Sequence, residues 1–198
     1  MTIRDRFDQR YYDHFYGSAR KAADRRSDER LIDFVCAYLE YLEQPVRSVV
    51  DIGCGLGIWR DGIARHFPKA RYTGVEISEY LCEKYGWTHG SVIDFRAKRP
   101  FDLVICKDML QYVPTEQCKL AITNLAKLSR GGALYLSVMT TEDWRHNCDR
   151  AHTDSAVYKR SASWYRRILR SRFTNVGGGV FLSARSAAMP WELETLRR

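Results

Sequence analysis

Residues 49–57, VVDIGCGLG, constrain the fold of this chain more than any other stretch. Two valines and an acid precede glycines at three alternate positions, Gly53, Gly55 and Gly57, and a helix-like segment, GIWRDGIARHF, follows. A strand, a glycine turn and a helix in this order begin a βαβ unit, and the glycines let a ligand approach bare backbone. The stretch therefore predicts a site for a dinucleotide, a phosphate or another nucleotide-derived ligand.

The glycine spacing excludes two common motifs. The dinucleotide fingerprint G-x-G-x-x-G requires glycine where this chain has Ile58 or Arg60, depending on the frame. A P-loop requires G-K-[ST] after the turn, and that sequence does not follow. The pattern D-x-G-x-G-x-G remains, in which the carboxylate of Asp51 can accept hydrogen bonds from a cationic amine or from ordered water.

Short apolar runs alternate with helix-like segments along most of the chain. The alternation predicts an α/β fold with a doubly wound, mostly parallel sheet, because such runs are typical of strands covered by helices on both faces. The predicted strands are RSVVDI, RYTGVEI, GWTHGSV, FDLVICKDML and GGALYLSV. Between them we expect helices that include one opened by Ser78 and one capped by Thr115.

The end of the chain breaks this alternation. After a predicted helix, SASWYRRILRSRF, the segment 173–196 has two extended pieces with no helix between them. This pattern predicts an antiparallel pair that closes a seven-stranded sheet, with glycines 177–179 forming a bulge or tight bend.

A second acid strengthens the nucleotide interpretation. Glu76 ends the second predicted strand, 19 residues after Gly57. An acid at this place in a βαβ unit can accept both hydroxyls of a ribose.

Taken together, VVDIGCGLG, YTGVEIS, FDLVICKDMLQYV, GGALYLSV and the terminal strand pair resemble the class I S-adenosylmethionine-dependent methyltransferases. The resemblance covers roughly residues 30–195. It implies a Rossmann-like fold, S-adenosylmethionine as methyl donor and S-adenosylhomocysteine as product. It also implies which residues bind the cofactor. Asp51 and the backbone of Gly53, Cys54 and Gly55 would hold the methionine part. Glu76 would hold the ribose hydroxyls, Ile77 would lie against the adenine, and Lys107 would line the pocket.

The third predicted strand departs from the family pattern. The family often has Gly-Asp there, with the Asp accepting the adenine amino group, but Ser91 follows Gly90 in this chain. We expect Ser91 and Val92 to line the adenine. The alternative is that Asp94 reaches back to it.

Residues 141–166 lie where this family usually has a substrate-binding insertion. His, Cys and Asp side chains are dense there, and histidine suits proton transfer because its pKa lies near neutrality. We predict His146 or His152 as a base or orienting group, although a metal site or a solvated loop would have the same composition. No standard zinc spacing is present, so no metal is predicted. Further predictions are Tyr112 as a catalytic residue, with packing under the next helix as the alternative, and Asp108, Trp144 and Asp154 as acceptor contacts.

The N-terminal segment, residues 1–45, is predicted as a helical lid over the cofactor. The alternative is an amphipathic helix with an exposed basic tail. The expected contacts are Tyr11, Tyr12, Phe15, Tyr16 and Arg20, of which Tyr12 and Tyr16 would touch the acceptor. The whole chain, 1–198, is predicted as one domain, with a cofactor-binding core at 46–140, the insertion at 141–166 and a terminal hairpin at 167–198.

The expected function is methyl transfer to oxygen or nitrogen of a small-molecule acceptor. The net charge of +8 and the arginine excess (only 8 of the 32 basic residues are Lys) favour an acidic or phosphorylated acceptor, or an RNA or DNA methyltransferase as the alternative. The chain lacks the Asn/Asp-Pro-Pro-aromatic tetrapeptide of base-amino methyltransferases. A non-catalytic cofactor-binding module and a nicotinamide oxidoreductase are further alternatives. Scattered cysteines and the lack of a signal peptide or membrane span indicate a cytoplasmic protein.

Overall fold

The computed structural model of the chain describes residues 6–17, 21–151 and 153–196. Its strands are β1 (Ser48–Ile52), β2 (Arg71–Glu76), β3 (Thr88–His89), β4 (Leu103–Lys107), β5 (Ala133–Ser137), β6 (Phe173–Gly177) and β7 (Val180–Ser183). Its helices are α1 (Gln9–Tyr16), α2 (Lys21–Tyr41), α3 (Ile58–His66), α4 (Glu79–Tyr85), α5 (Thr115–Leu128), α6 (Thr141–His146) and α7 (Ala162–Leu169). Two 3₁₀ turns span Leu110–Tyr112 and Glu192–Glu194.

The seven strands form one sheet in the order β3-β2-β1-β4-β5-β7-β6. The first five strands run parallel, whereas β7 pairs antiparallel with both β5 and β6. This arrangement confirms the predicted doubly wound, mostly parallel sheet with a terminal antiparallel pair. The winding reverses between β1 and β4, and ligands of such sheets bind beyond the carboxyl ends of the strands at that point.

The glycines of the terminal hairpin form the predicted bend. Gly177, Gly178 and Gly179 all have positive φ, and the pairing of β6 with β7 shifts register between Asn175 and Gly177. A Cβ on Gly178 would lie only 2.6 Å from Cε1 of Phe34. Only glycine fits this bend without strain.

Two hydrophobic clusters cover the faces of the sheet. One joins α2 and α3 to the sheet and includes Leu39, Trp59 and Ile63, and the other joins α5 and α7 to it through residues such as Ile122 and Leu169. The sheet is therefore buried on both faces, as its nearly continuous apolar strands require.

Helix α2 buries a face that is rotated from the one its apolar spacing predicts. The apolar spacing over residues 28–43 predicts a face of Leu31, Phe34, Val35, Tyr38, Leu39 and Leu42. The buried residues are instead Ile32, Val35, Cys36 and Leu39 of the helix and Leu42 just after it, and Phe34 is 49% exposed. The rotation brings Ile32 against Gly62 of α3, where a Cβ would lie 2.3 Å from Cγ2 of Ile32. The buried face of α2 thus belongs to the main core, whereas Phe7 and Tyr11 of the segment 6–17 contact Ser78 and Tyr112.

Two further boundaries differ from the sequence prediction. Thr115 is the first residue of α5 rather than its cap, because Pro114 is the N-cap and no side chain bonds there. The predicted boundary between insertion and hairpin, after residue 166, falls inside α7, which continues to Leu169 as an amphipathic helix packed on the core. Ser78, in contrast, caps α4 as expected and accepts a hydrogen bond from the amide of Leu81.

The start of β1 yields a stability prediction. One carboxylate oxygen of Asp102 accepts hydrogen bonds from the amides of Arg47 and Ser48 and from the Ser48 hydroxyl, all at 2.8–2.9 Å. Asp102→Ala leaves these donors without their acceptor, so we expect the free energy of unfolding to fall by about 1–3 kcal/mol in a urea titration. The control Ser48→Ala removes the two bonds of the Ser48 hydroxyl, to the Asp102 carboxylate and from the Asp102 amide, but it leaves both backbone amides bonded to the carboxylate and should cost less. An unchanged unfolding midpoint in Asp102→Ala would contradict this reading.

Candidate active site

The carboxylate of Glu76 joins the end of β2 to the glycine turn after β1. Its Oε2 accepts a hydrogen bond from the amide of Gly55 at 2.9 Å, and its Oε1 accepts from the amides of Ile77 and Ser78 at 2.8 and 3.0 Å. The side chain is only 4% exposed. Because Oε1 already has two donors, Oε2 is the oxygen with room for a further one.

The glycine turn presents bare backbone to open space. Gly53, Gly55 and Gly57 all have positive φ, and a Cβ on Gly55 would meet no atom within 4 Å. On the neighbouring side, the amides of Gly53 and Cys54 donate to the carbonyl of Val75 in β2. A turn fixed on one side and open on the other fits a cofactor that lies against the main chain.

Asp51 lies in β1, two residues before Gly53, and is buried with 2% of its surface exposed. The hydroxyl of Tyr72 donates to its Oδ2 at 2.7 Å. Burial raises the pKa of the Asp51 carboxyl to about 7, with a smaller contribution from the negative charge of Glu76, and the Tyr72 hydrogen bond only partly offsets the rise. The carboxyl therefore changes charge near neutral pH.

Helix α1 and the residues before it cover this site. The Ser78 hydroxyl donates to the carbonyl of Phe7, and the hydroxyls of Tyr11 and Tyr112 lie 3.0 Å apart. Burial raises the pKa of Tyr12, and the negative charge of the nearby Glu76 carboxylate adds to the shift. Burial also raises the pKa of Tyr16, which lies among the charges of Lys107 and Asp108 at the other end.

Arg6 ties the covering segment to the loop after α6. Its guanidinium forms an ion pair with Asp154, donates to the carbonyl of Ala156 at 2.7 Å, and lies 5.1 Å from the centre of the Tyr112 ring. Burial raises the pKa of Tyr112 to about 12. The phenol is therefore neutral at physiological pH and can donate a hydrogen bond but does not act as a base in this state.

Lys107 and Asp108 end β4 beside the covering helix. The Lys107 ammonium lies 2.7 Å from Asp108 and 3.4 Å from Asp28 of α2. Burial alone would lower the pKa of Lys107, but the two carboxylates outweigh it and raise the pKa. Asp108 has a φ of 51°, which is strained for a non-glycine residue, and its carboxylate accepts from the Ser137 hydroxyl at 2.9 Å.

A cavity of about 320 Å³ opens next to Asp108. Its wall combines carboxylate, hydroxyl, amide and sulfur groups, from Asp108, Ser137, Val138, Met139, Asp143, Asn147 and Cys148. A Cβ on Gly53 would lie 2.8 Å from Cγ of Met109, so the chain just beyond Asp108 packs directly on the glycine turn. The cavity and the turn are therefore parts of one region.

Several predicted residues lie outside this region. His146 is exposed in the last turn of α6. The ammonium of Lys159 lies 4.2 Å from the centre of the Trp144 ring. The amide of Ser91 donates to Asp94 at 2.9 Å, and the side chain of Val92 is in the core. His152 and Arg20 fall outside the described residues, and no group of three possible metal ligands occurs within 6–17, 21–151 and 153–196.

The sequence reasoning missed a buried arginine that supports Tyr112. Arg160, 6% exposed, donates to the carbonyls of Leu110 and Val113 and to the hydroxyl of Tyr165. These carbonyls flank Tyr112, so the guanidinium fixes the turn that carries it. A lone arginine in a polar stretch has no periodic signal that would have singled it out.

Comparisons with known proteins identify the family of this chain. A family model described as a methyltransferase domain matches residues 20–189. The chain is similar to trans-aconitate 2-methyltransferase of Pseudomonas paraeruginosa, 27% identical over 143 residues, which cover 69% of this chain and 45% of the relative. It is also similar to the ubiquinone biosynthesis O-methyltransferase of Coxiella burnetii, with 31% identity over 119 residues. The match covers 51% of this chain and 49% of the relative.

The solved structure of magnesium protoporphyrin IX methyltransferase from Synechocystis PCC 6803, with bound S-adenosylhomocysteine, superposes with a TM-score of 0.65. It is 23% identical and covers 88% of this chain and 89% of that one. The chain therefore belongs to the S-adenosylmethionine-dependent methyltransferases of the class I fold. It spans about half the length of the curated relatives it matches. None of the helices in the described part of the chain has the length and apolar character to cross a bilayer.

The pKa of Asp51 yields a pH prediction. If the Asp51 carboxylate receives the ammonium of the cofactor, binding requires the deprotonated form, which predominates above the pKa of about 7. We expect the Kd of S-adenosylhomocysteine, measured by calorimetry, to fall about tenfold from about pH 6 to about pH 8. Asp51→Asn should bind more weakly and without this pH dependence. A flat profile in the unmodified protein would contradict the assignment.

Proposed function

We propose that this chain transfers the methyl group of S-adenosylmethionine to oxygen or nitrogen of a small-molecule acceptor. The observation that carries the proposal is the hydrogen bond between Glu76 and Gly55, which assembles an acid and bare backbone at the ends of β2 and β1, next to the point where the sheet reverses its winding. The relatives named above, whose names include trans-aconitate and ubiquinone biosynthesis, support a small acceptor.

In this proposal the cofactor lies across the carboxyl ends of β1 and β2. Oε2 of Glu76 receives a ribose hydroxyl, and Ile77 lies against the adenine. Ser91 and the backbone of Val92, whose side chain is in the core, line the far side of the adenine. Asp51 and the backbone of Gly53, Cys54 and Gly55 hold the methionine end. Lys107 forms the wall toward the acceptor.

The chain contributes position and exclusion of water rather than a strong catalyst. Bound S-adenosylmethionine supplies a methyl group already activated on a positively charged sulfur. Holding an acceptor atom in line with such a group can provide about 7–11 kcal/mol in favourable cases. The segment 6–17 acts as the lid, because Phe7 and Tyr11 bridge from Ser78 to Tyr112 across the site and keep solvent out.

The acceptor occupies the cavity next to Asp108. Asp108 lines this cavity, and we assign Tyr12, Tyr16 and Asp154 as further contacts of the acceptor. Tyr112 orients the acceptor as a hydrogen-bond donor. His146 or His152 takes a proton where the acceptor must lose one, and this role requires His146 to turn inward from its exposed position. Asp143 in the wall favours a neutral or cationic acceptor, since the charge of Asp108 is compensated by Lys107, whereas the arginine excess favours an acidic one.

The role of Glu76 gives the direct test. We expect S-adenosylmethionine and S-adenosylhomocysteine, but not NAD, to raise the melting temperature, since a ligand at a hundredfold excess over Kd adds about 2.7 kcal/mol to the native state. Glu76→Ala should abolish the shift. The matched control Glu116→Ala removes an exposed carboxylate paired with Lys119 and should keep it. A full shift in Glu76→Ala would refute the ribose assignment.

The ion pair of Arg6 with Asp154 tests the lid. Asp154→Asn weakens the tie between the lid and the loop after α6, so we expect S-adenosylhomocysteine to dissociate about two- to fivefold faster in stopped flow. The control Arg65→Gln breaks an exposed pair with Asp33 and should leave the rate unchanged. Equal rates in Asp154→Asn and the unmodified protein would mean that the segment does not act as a lid.

Methylation of RNA or DNA is the second candidate function. It is favoured by the net charge of +8 and by the run of exposed arginines on α7, which includes Arg166 and Arg167. Binding that weakens steeply with added salt would support it. Transfer of a labelled methyl group into a metabolite pool instead would support the small-molecule function and exclude a non-catalytic module. All six cysteines are free, which supports our proposal of a cytoplasmic location.

A further inference from the structure

The indole of Trp87, between α4 and β3, lies behind the glycine turn. Its Nε1–H donates to the carbonyl of Gly55 at 3.0 Å. A Cβ on Gly57 would lie 2.5 Å from Cζ2 of the ring, and one on Gly74 would lie 2.5 Å from Cε3. The ring therefore fills a slot that exists because both residues lack side chains.

The peptide groups on the two sides of Gly55 are held by different partners. Its amide donates to Glu76 and its carbonyl accepts from Trp87. Because φ at Gly55 is +52° and its Cβ side is open, these two bonds fix the orientation of backbone that is otherwise free on one side. Removing the indole N–H would release the carbonyl half of this pair.

The same ring reaches Asp51 through one intermediate. Trp87 packs edge-on against Tyr72, with ring centres 6.2 Å apart, and the Tyr72 hydroxyl donates to Asp51. The indole thus supports two features assigned above to the methionine end of the cofactor: the Gly55 backbone directly and the Asp51 carboxylate through Tyr72. Its bonds do not involve Ile77 or the segment 91–92, where the adenine is expected.

We infer that Trp87 and Tyr72 are positioning residues that set the glycine turn and Asp51 for the amino-acid part of S-adenosylmethionine. The inference rests on the proposed function, because it presumes that this cofactor occupies the turn. Neither residue touches the reacting atoms. Their effect is to hold the groups that do contact the cofactor in a binding geometry before it arrives.

The test compares two ligands that differ only in the amino-acid part. S-adenosylhomocysteine has it, whereas 5′-methylthioadenosine keeps the adenosine and the sulfur and lacks the aminocarboxypropyl group. Trp87→Phe keeps an aromatic ring but loses the N–H, and a net hydrogen bond is worth about three- to tenfold in affinity. We expect calorimetry to show that loss for S-adenosylhomocysteine and less than about a twofold change for 5′-methylthioadenosine.

Tyr72→Phe provides the second variant and a readout that general loosening of the fold would not move. The Tyr72 hydrogen bond lowers the pKa of Asp51, so its removal should shift the midpoint of the pH dependence of S-adenosylhomocysteine binding upward. The matched controls are Trp191→Phe, where the indole is 76% exposed, and Tyr41→Phe, which removes a surface hydroxyl bonded to Glu194. Both controls should bind both ligands normally.

The outcomes separate this inference from the proposed function. If Trp87→Phe weakens both ligands equally, or neither, and Tyr72→Phe leaves the pH midpoint in place, the positioning role is overturned while the cofactor assignment stands. If the unmodified protein binds neither ligand, the proposed function fails, and the inference fails with it.

Discussion

The hydrogen bond from the Gly55 amide to the Glu76 carboxylate is the contact on which the rest of the site depends. It joins the end of β2 to the turn after β1, and the bonds of Gly53 and Cys54 to Val75 reinforce the junction. A buried carboxylate that receives several backbone amides is costly to leave unsatisfied. The fold therefore keeps its two ligand-facing elements in register by the same group that is proposed to bind the ribose.

Around this junction, backbone groups form much of the site, and side chains that do not face the ligand fix them by hydrogen bonds. Trp87 fixes the Gly55 carbonyl, and Arg160 fixes the carbonyls that flank Tyr112. Such a fixed backbone suits the proposed methyl transfer. The methyl group of S-adenosylmethionine is already activated, so the protein has to supply orientation rather than a strong acid or base. Asp108, beside the cavity, is a further residue of this site whose backbone is held in a strained conformation.

The sequence predicted the sheet, its terminal antiparallel pair and the glycine turn, because each of these has a local pattern: apolar runs, alternate glycines and an acid at a strand end. It did not predict the face of α2, since Phe34 and Ile32 both fit a helical period and only contact with Gly62 decides between them. It also missed Arg160, Arg6 and Trp87, whose partners lie 32 to 150 positions away in the sequence. Such long-range contacts leave no periodic trace.

The most direct measurement for the central claim is a crystal structure of the chain with S-adenosylhomocysteine. The account predicts a ribose hydroxyl about 2.6–3.2 Å from Oε2 of Glu76, with the amino-acid part against the Gly55 backbone and Asp51. A cofactor whose ribose lies out of hydrogen-bonding range of Glu76, or which binds away from residues 51–57, would contradict it.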